Sequence, residues 1–188
     1  MDIVNRAKNM LMSPATEWQV IAGETTDIQT LYTSYIMPLA AIPPLAGLIG
    51  RAILFPRMSF GTALIGAIVF YVLSLIAVYV VAWIAAKLAP MFGGTDNVNS
   101  GLKLVAYSST ARWVGGIFRI IPPLGILSLL ASLYGIYLFY TGITPIMNVP
   151  AGRAVPYLLA LIVATILVFI VIGVLVAGVM GAGMGMMM

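Results

Sequence analysis

The sequence contains no cysteine and no histidine, which excludes disulfides, thiol chemistry, zinc sites and His-ligated haem. Charge is almost as scarce: 7% of residues are charged, where a soluble domain carries roughly 25%. The five carboxylates, Asp2, Glu17, Glu24, Asp27 and Asp96, lie outside the long apolar runs. No intramembrane acid is therefore available for the proton relays of coupled transporters. No Ser-His, Cys-His or paired-carboxylate constellation can be assembled within one leaflet, so an enzyme is not expected. The nine Lys and Arg residues, for a formal charge of +4, are scattered along the chain and form no patch of the kind that binds nucleic acid.

What the chain has is apolar length. With 62% hydrophobic residues and a mean hydropathy of +1.12, it reads as an all-α polytopic membrane protein whose 188 residues are mostly committed to spans of about 20 residues each. Five transmembrane helices are expected, at about 31–50, 61–86, 102–121, 123–141 and 155–180. They form one membrane domain, 31–188, behind a short amphipathic, interfacial arm, 1–30. In that arm Ile3, Val4, Ala7, Met10 and Leu11 share one stripe, with Arg6 and Lys8 off it, the pattern of a helix on a membrane surface. Ser13-Pro14 opens a second short helix ending near Gly23. Thr26 and Gln29 have capping-box spacing, which starts the next helix at about Asp27. Nothing upstream of Leu31 resembles a cleaved leader, so none is expected.

Pro38, Pro43 and Pro44 should bend or break the first span. Pro122-Pro123 leaves almost no loop between spans three and four, making them antiparallel neighbours. PMFGGTDNVNSG, 90–101, is a polar connecting loop. A cytoplasmic N-terminus places Arg6, Lys8, Lys87, Lys103 and Arg153 inside and Arg51, Arg57 and Arg119 outside. This balance favours N-in and C-out.

Two arginines interrupt the third span. Arg112 and Arg119 are seven residues apart and lie on one helix face together with Ser108 and Gly115. Three readings compete: Arg119 snorkels to the interface while Arg112 binds carbonyls freed at kinks; the pair holds anionic lipid headgroups or another phosphate-bearing ligand; or it lines a solute pathway. Ser108, Arg112, Arg119 and Tyr107 are the candidate site. In the last span Gly173, Ala177, Gly181 and Gly185 recur every four residues, a ribbon for close helix packing within the chain or against a protein partner or second copy. Met180, Met184, Met186, Met187 and Met188 could offer thioethers to copper(I), yet an apolar tail needs no metal and no cofactor is expected. Tyr32, Tyr35, Tyr134, Tyr137 and Tyr140 read as interfacial anchors.

AYSSTARWVGGIFRIIPPLGILSLLASLYGIYLFYTGI, 106–143, with Ala151, Arg153 and Ala154 before the last span, resembles the bacterial branch of the Yip1-domain family of five-span membrane proteins. The likeness rests on Tyr107-Ser108 with Thr110, on Ile121-Pro122, on the run from Leu133 to Leu138, and on SPATEWQVIAGE, 13–24. Ala111 stands where many relatives have proline, and the acidic Tyr-Gly-Pro motif of the eukaryotic arm is absent, so Rab binding is not carried over. The resemblance implies a bacterial inner-membrane protein that interacts with other proteins or organises lipids, and the arginine pair would direct the latter toward anionic ones. The alternative class is a channel or transporter for a small anion or other solute.

Overall fold

The computed structural model describes residues 2–54 and 60–185; Arg57, Met186, Met187 and Met188 lie outside them. Helix α1 (Ile3–Met12) is capped by Asp2, whose carboxylate accepts from the Val4 and Asn5 N–H groups. After the single residue Ser13, α2 (Pro14–Gly23) turns back, with proline in its first turn. Part of the apolar stripe expected on a membrane surface packs against protein, while Val4 on the same stripe stays exposed. Ala7 and Met10 of α1 are buried, and Trp18 and Ile21 of α2 are fully so. Trp18 Nε1 donates to the Leu138 carbonyl and to Thr141 Oγ1, both at 3.1 Å, and the Tyr134 hydroxyl donates to the Leu11 carbonyl at 2.8 Å. The arm is a helical hairpin whose tip reaches the middle of a long neighbouring helix.

The chain then enters α3 (Ile28–Leu31), a π-turn at Tyr32–Ile36, α4 (Met37–Ala40) and α5 (Ile42–Leu54). These follow one path with two irregularities, both set by proline. Over the π-turn the Met37 N–H reaches back five residues to the Tyr32 carbonyl; the wider turn precedes Pro38, which has no N–H to donate. At Ala41 the helix is interrupted and restarts, with Leu45 N–H on the Ala41 carbonyl at 3.1 Å. Pro43 and Pro44 thus occupy a first helical turn, where their missing donors cost no ladder bond.

Helix α6 (Phe60–Leu88), ending in a 3-10 turn at Ala89–Phe92, leads through Gly93 in left-handed conformation (φ 84°) to α7 (Val98–Ser108). Next come α8 (Thr110–Gly115) and 3-10 turns at Gly116–Ile120 and Pro122–Leu124, then α9 (Gly125–Met147) and α10 (Ala151–Gly185). Four helical segments are long and apolar enough to cross a membrane: Ile28–Ile53, Phe60–Phe92, Gly125–Met147 and Ala151–Leu175. The window 102–121, expected as one further helix, is divided. At its first break Thr110 Oγ1 donates to the Tyr107 carbonyl at 2.6 Å, competing with the helix ladder. At its second, Gly115-Gly116 opens the 3-10 turn, with Ser128 Oγ donating to the Gly115 carbonyl at 2.9 Å.

Cross-contacts give the directions. Asn99 Nδ2 donates to the Thr26 carbonyl at 2.8 Å, joining the start of α7 to the start of α3. At the other end a methyl on Gly50 would come within 2.7 Å of the Arg119 carbonyl oxygen. Residues 98–120 therefore run parallel to Ile28–Ile53 along its length, and α9 returns antiparallel, its last residue Met147 accepting from Thr95 N–H at 3.0 Å.

Candidate functional site

The α7–α8 segment presents two different faces. One carries Tyr107 toward the hairpin. Tyr107 packs at 4.8 Å (ring centroids) on Tyr35 and at 6.2 Å, edge-on, against Trp18. The Tyr35 hydroxyl shares a 2.7 Å hydrogen bond with Thr110 Oγ1. Above Tyr107, 5.8 Å from its ring centre, sits the Arg6 guanidinium carbon. Arg6 Nη1 pairs with Glu17 at 2.6 Å and Nη2 with Glu24. Burial works against the charge on Arg6, while the Glu24 hydrogen bond and both carboxylates support it, and the net effect raises its pKa. Lys103 is buried beside them, donating to the carbonyls of Ile21 and Glu24. Each cation has several acceptors, as a low-dielectric site requires, so this network clamps the hairpin to the bundle. Tyr35, expected as an interfacial anchor, is fully buried within it; Tyr137 and Tyr140 remain exposed.

The other face carries Ser108 and Arg112, one helical turn apart, into a crevice between α6, α9 and α10. Its volume is about 220 Å³. Val81, Ile136, Leu161 and Ile166 give it apolar walls, and Ser109, Ser132 and Thr165 add hydroxyls. Arg112 makes no hydrogen bond or ion pair among the described residues; its guanidinium carbon lies 5.0 Å from the centre of the Phe169 ring. Ser108 is 4% exposed, and its hydroxyl oxygen is buried without a partner among those residues. A cation and a hydroxyl, both unsatisfied, thus face one mostly apolar space. Such a space suits an amphiphile with an oxyanion.

The candidate residues therefore separate. Ser108 and Arg112 share the crevice, Tyr107 belongs to the clamp, and Arg119 is exposed at the far end of the segment. Adjacent residues on a helix point about 100° apart, which is why Tyr107 and Ser108 part company. Of the packing ribbon, Gly173 and Ala177 are exposed and a methyl on Gly173 would meet nothing within 4 Å; the side-chain positions 181 and 185, like Met180 and Met184, fall outside the described ones. Sequence reasoning missed Trp18, Glu17 and Lys103 as buried partners. The signal that could have found them was charge of both signs on one short arm, Arg6 with Glu17 and Glu24, beside the lone tryptophan of that arm. It also missed Phe169, which nothing in its local pattern distinguishes.

A family model described as the Yip1 domain matches residues 8–173. No curated protein and no solved structure matches the chain.

Proposed function

Since the chain belongs to the Yip1-domain family, we propose that it is a non-catalytic integral membrane protein that organises lipid, holding it in the lateral crevice between α6, α9 and α10. The observation that carries this reading is the crevice itself, mostly apolar and carrying a cation with no hydrogen-bond or ion-pair partner among the described residues. An arginine side chain inside a bilayer costs at least about 2.5–3.5 kcal/mol unless something compensates it. A lipid headgroup supplies acceptors without any further protein element.

The reading includes five membrane crossings, with the N-terminus cytoplasmic and the C-terminus outside. Residues 98–120 would make the third crossing in pieces. At ~1.5 Å per α-helical residue and ~2 Å per 3-10 residue this segment spans on the order of 35 Å, enough for a hydrocarbon core of about 30 Å. Broken helices at membrane depth are tolerated where protein shields the freed backbone, and here Ser128 and Thr110 hydroxyls supply part of that shielding. The reading is tested by purifying the full chain in a mild detergent, identifying retained lipids by mass spectrometry, and assaying ion and solute flux after reconstitution in liposomes. Retained phospholipid and no flux are expected; flux above that of empty liposomes would make the protein a channel or transporter instead.

A further inference from the structure

The depth of Arg112 decides what kind of lipid fits. Ser108 abuts Gly135, whose added methyl would lie 3.2 Å from the Ser108 carbonyl oxygen, and Gly115 abuts Ala131. The Arg112 backbone therefore sits between the levels of Ala131 and Gly135, nearer to Gly125 at the start of α9 than to Met147 at its end. Its side chain extends further the same way. Phe169, which it overlies, is eighteen residues, or ~27 Å, along α10 from Ala151. The guanidinium thus lies on the Arg119 side of the middle of α9, so a headgroup that reaches it comes from that side. The crevice continues inward from there, past Ser108 to Leu158 and Val81. Its run from Phe169 to Leu158 along α10 is ~16 Å, a slot for a single chain lying parallel to the helices.

We propose that the crevice takes one phospholipid of net negative charge from the leaflet on the Arg119 side. Its phosphate oxygens lie on the Arg112 guanidinium, an ester carbonyl accepts from the Ser108 hydroxyl, and one acyl chain lies between α9 and α10. The assignment rests on the lipid-holding reading above and makes it specific. A planar guanidinium matches a phosphate bidentately. Ser108 is one turn deeper than Arg112, where a glycerolipid carries its ester groups. A net anionic head is favoured because Arg119 adds a second cation on the same side, with no carboxylate within 4 Å of either arginine among the described residues. At about 220 Å³ the cavity is smaller than the usual ~300–1,000 Å³ of small-molecule sites, so it encloses one chain and leaves the remainder of the lipid in the bilayer.

Native mass spectrometry of the full chain tests this, with titration of phosphatidylglycerol, phosphatidylcholine, oleate and inorganic phosphate against wild type, Arg112→Gln, Ser108→Ala and Arg119→Gln. Phosphatidylglycerol should bind more tightly than phosphatidylcholine. Arg112→Gln should weaken it about tenfold or more and Ser108→Ala about fivefold, with Arg119→Gln changing it by less than either. Ile162→Trp, which fills the crevice and leaves Arg112 in place, should weaken it comparably and covers the case in which Arg112→Gln does not fold. Equal binding of the two phospholipids, or undiminished binding in Arg112→Gln or Ile162→Trp, would overturn the assignment while leaving lipid retention intact. Inorganic phosphate displacing the lipid at equal concentration, or oleate binding as tightly and unaffected by Ser108→Ala, would overturn it in favour of a free anion or a fatty acid. Absence of any retained lipid would instead sink the lipid-holding reading.

Discussion

Two half-buried arginines in this chain, Arg6 and Arg112, have opposite fates, and the difference lies in what surrounds each guanidinium. Arg6 has Glu17, Glu24 and the face of Tyr107; Arg112 has the edge of a cavity and Phe169. Removing Arg6 would strand two carboxylates, one of them 9% exposed at its side chain. Arg6→Ala should therefore lower stability by about 3 kcal/mol, in the range typical of broken buried pairs. Replacing all three groups, Arg6→Met with Glu17→Gln and Glu24→Gln, should recover most of that loss, because no unpaired charge is left. Thermal unfolding of the solubilised protein distinguishes the two, and equal loss in both would show that the ionic contacts are incidental. Asp27 supplies a pH-dependent contribution at the start of α3. The Thr30 side chain and backbone N–H hold its carboxylate below the ordinary pKa. A depressed folded-state value means stabilisation that is present above the unfolded pKa and lost as pH falls through the folded one. Asp27→Asn, which still caps without titrating, should flatten the acid limb of the stability profile relative to wild type. An unchanged limb would assign the acid sensitivity elsewhere.

At the scale of elements, the same apolar period has two structural meanings. Ala7 and Met10 follow a helical stripe whether the partner is a bilayer or another helix, so the arm's period was legible and its docking was not. Docking depends on Gly142, far away in sequence. A methyl there would come within 2.6 Å of the Trp18 ring and 2.7 Å of Leu104, so only glycine lets α2 lie against α9. Gly142→Ala should cost about 1–3 kcal/mol through overpacking and should lever out the hairpin before the bundle. Limited proteolysis should then cut within residues 1–26 at protease levels that spare the wild-type arm, with α9 and α10 still protected. Uniform loss of protection would mean that the hairpin and bundle unfold as one unit. The prolines of the first span were legible because their effect is local: two sit where a helix restarts. The break at Ser109 was hidden because hydropathy does not register a threonine hydroxyl taking the Tyr107 carbonyl. The seven-residue spacing of Arg112 and Arg119 put Ser108 on the arginines' face, but Arg119 lies outside the crevice, whose existence depends on how α9 and α10 pack, which no single segment records.

For the whole molecule the decisive quantity is the number of crossings, because it sets which side each end of α7–α8 faces. A helix count by length and hydropathy gives four, and a chain with four crossings would have residues 93–124 lying along one side. The five crossings proposed above rest on contacts: one end of the segment is tied to Thr26 and Met147, the other to Gly50 and Ser128. Thr26 and Gly50 are at opposite ends of a helix that crosses by either count. A segment fastened at both of those levels runs alongside that helix from one end to the other, which is the arrangement the proposed fifth crossing rests on. The native absence of cysteine makes the test direct. Single-cysteine variants Asn97→Cys and Pro123→Cys, both at exposed positions, are treated with a membrane-impermeant maleimide on intact cells and on inverted vesicles. With five crossings Asn97→Cys labels only in inverted vesicles, on the side of the N-terminus, and Pro123→Cys only in intact cells. Labelling of both from the same side would reduce the count to four and place Arg112 in a segment that never enters the opposite leaflet. The oxyanion site would then have to draw its lipid from the cytoplasmic face, opposite to the side its depth along α10 indicates.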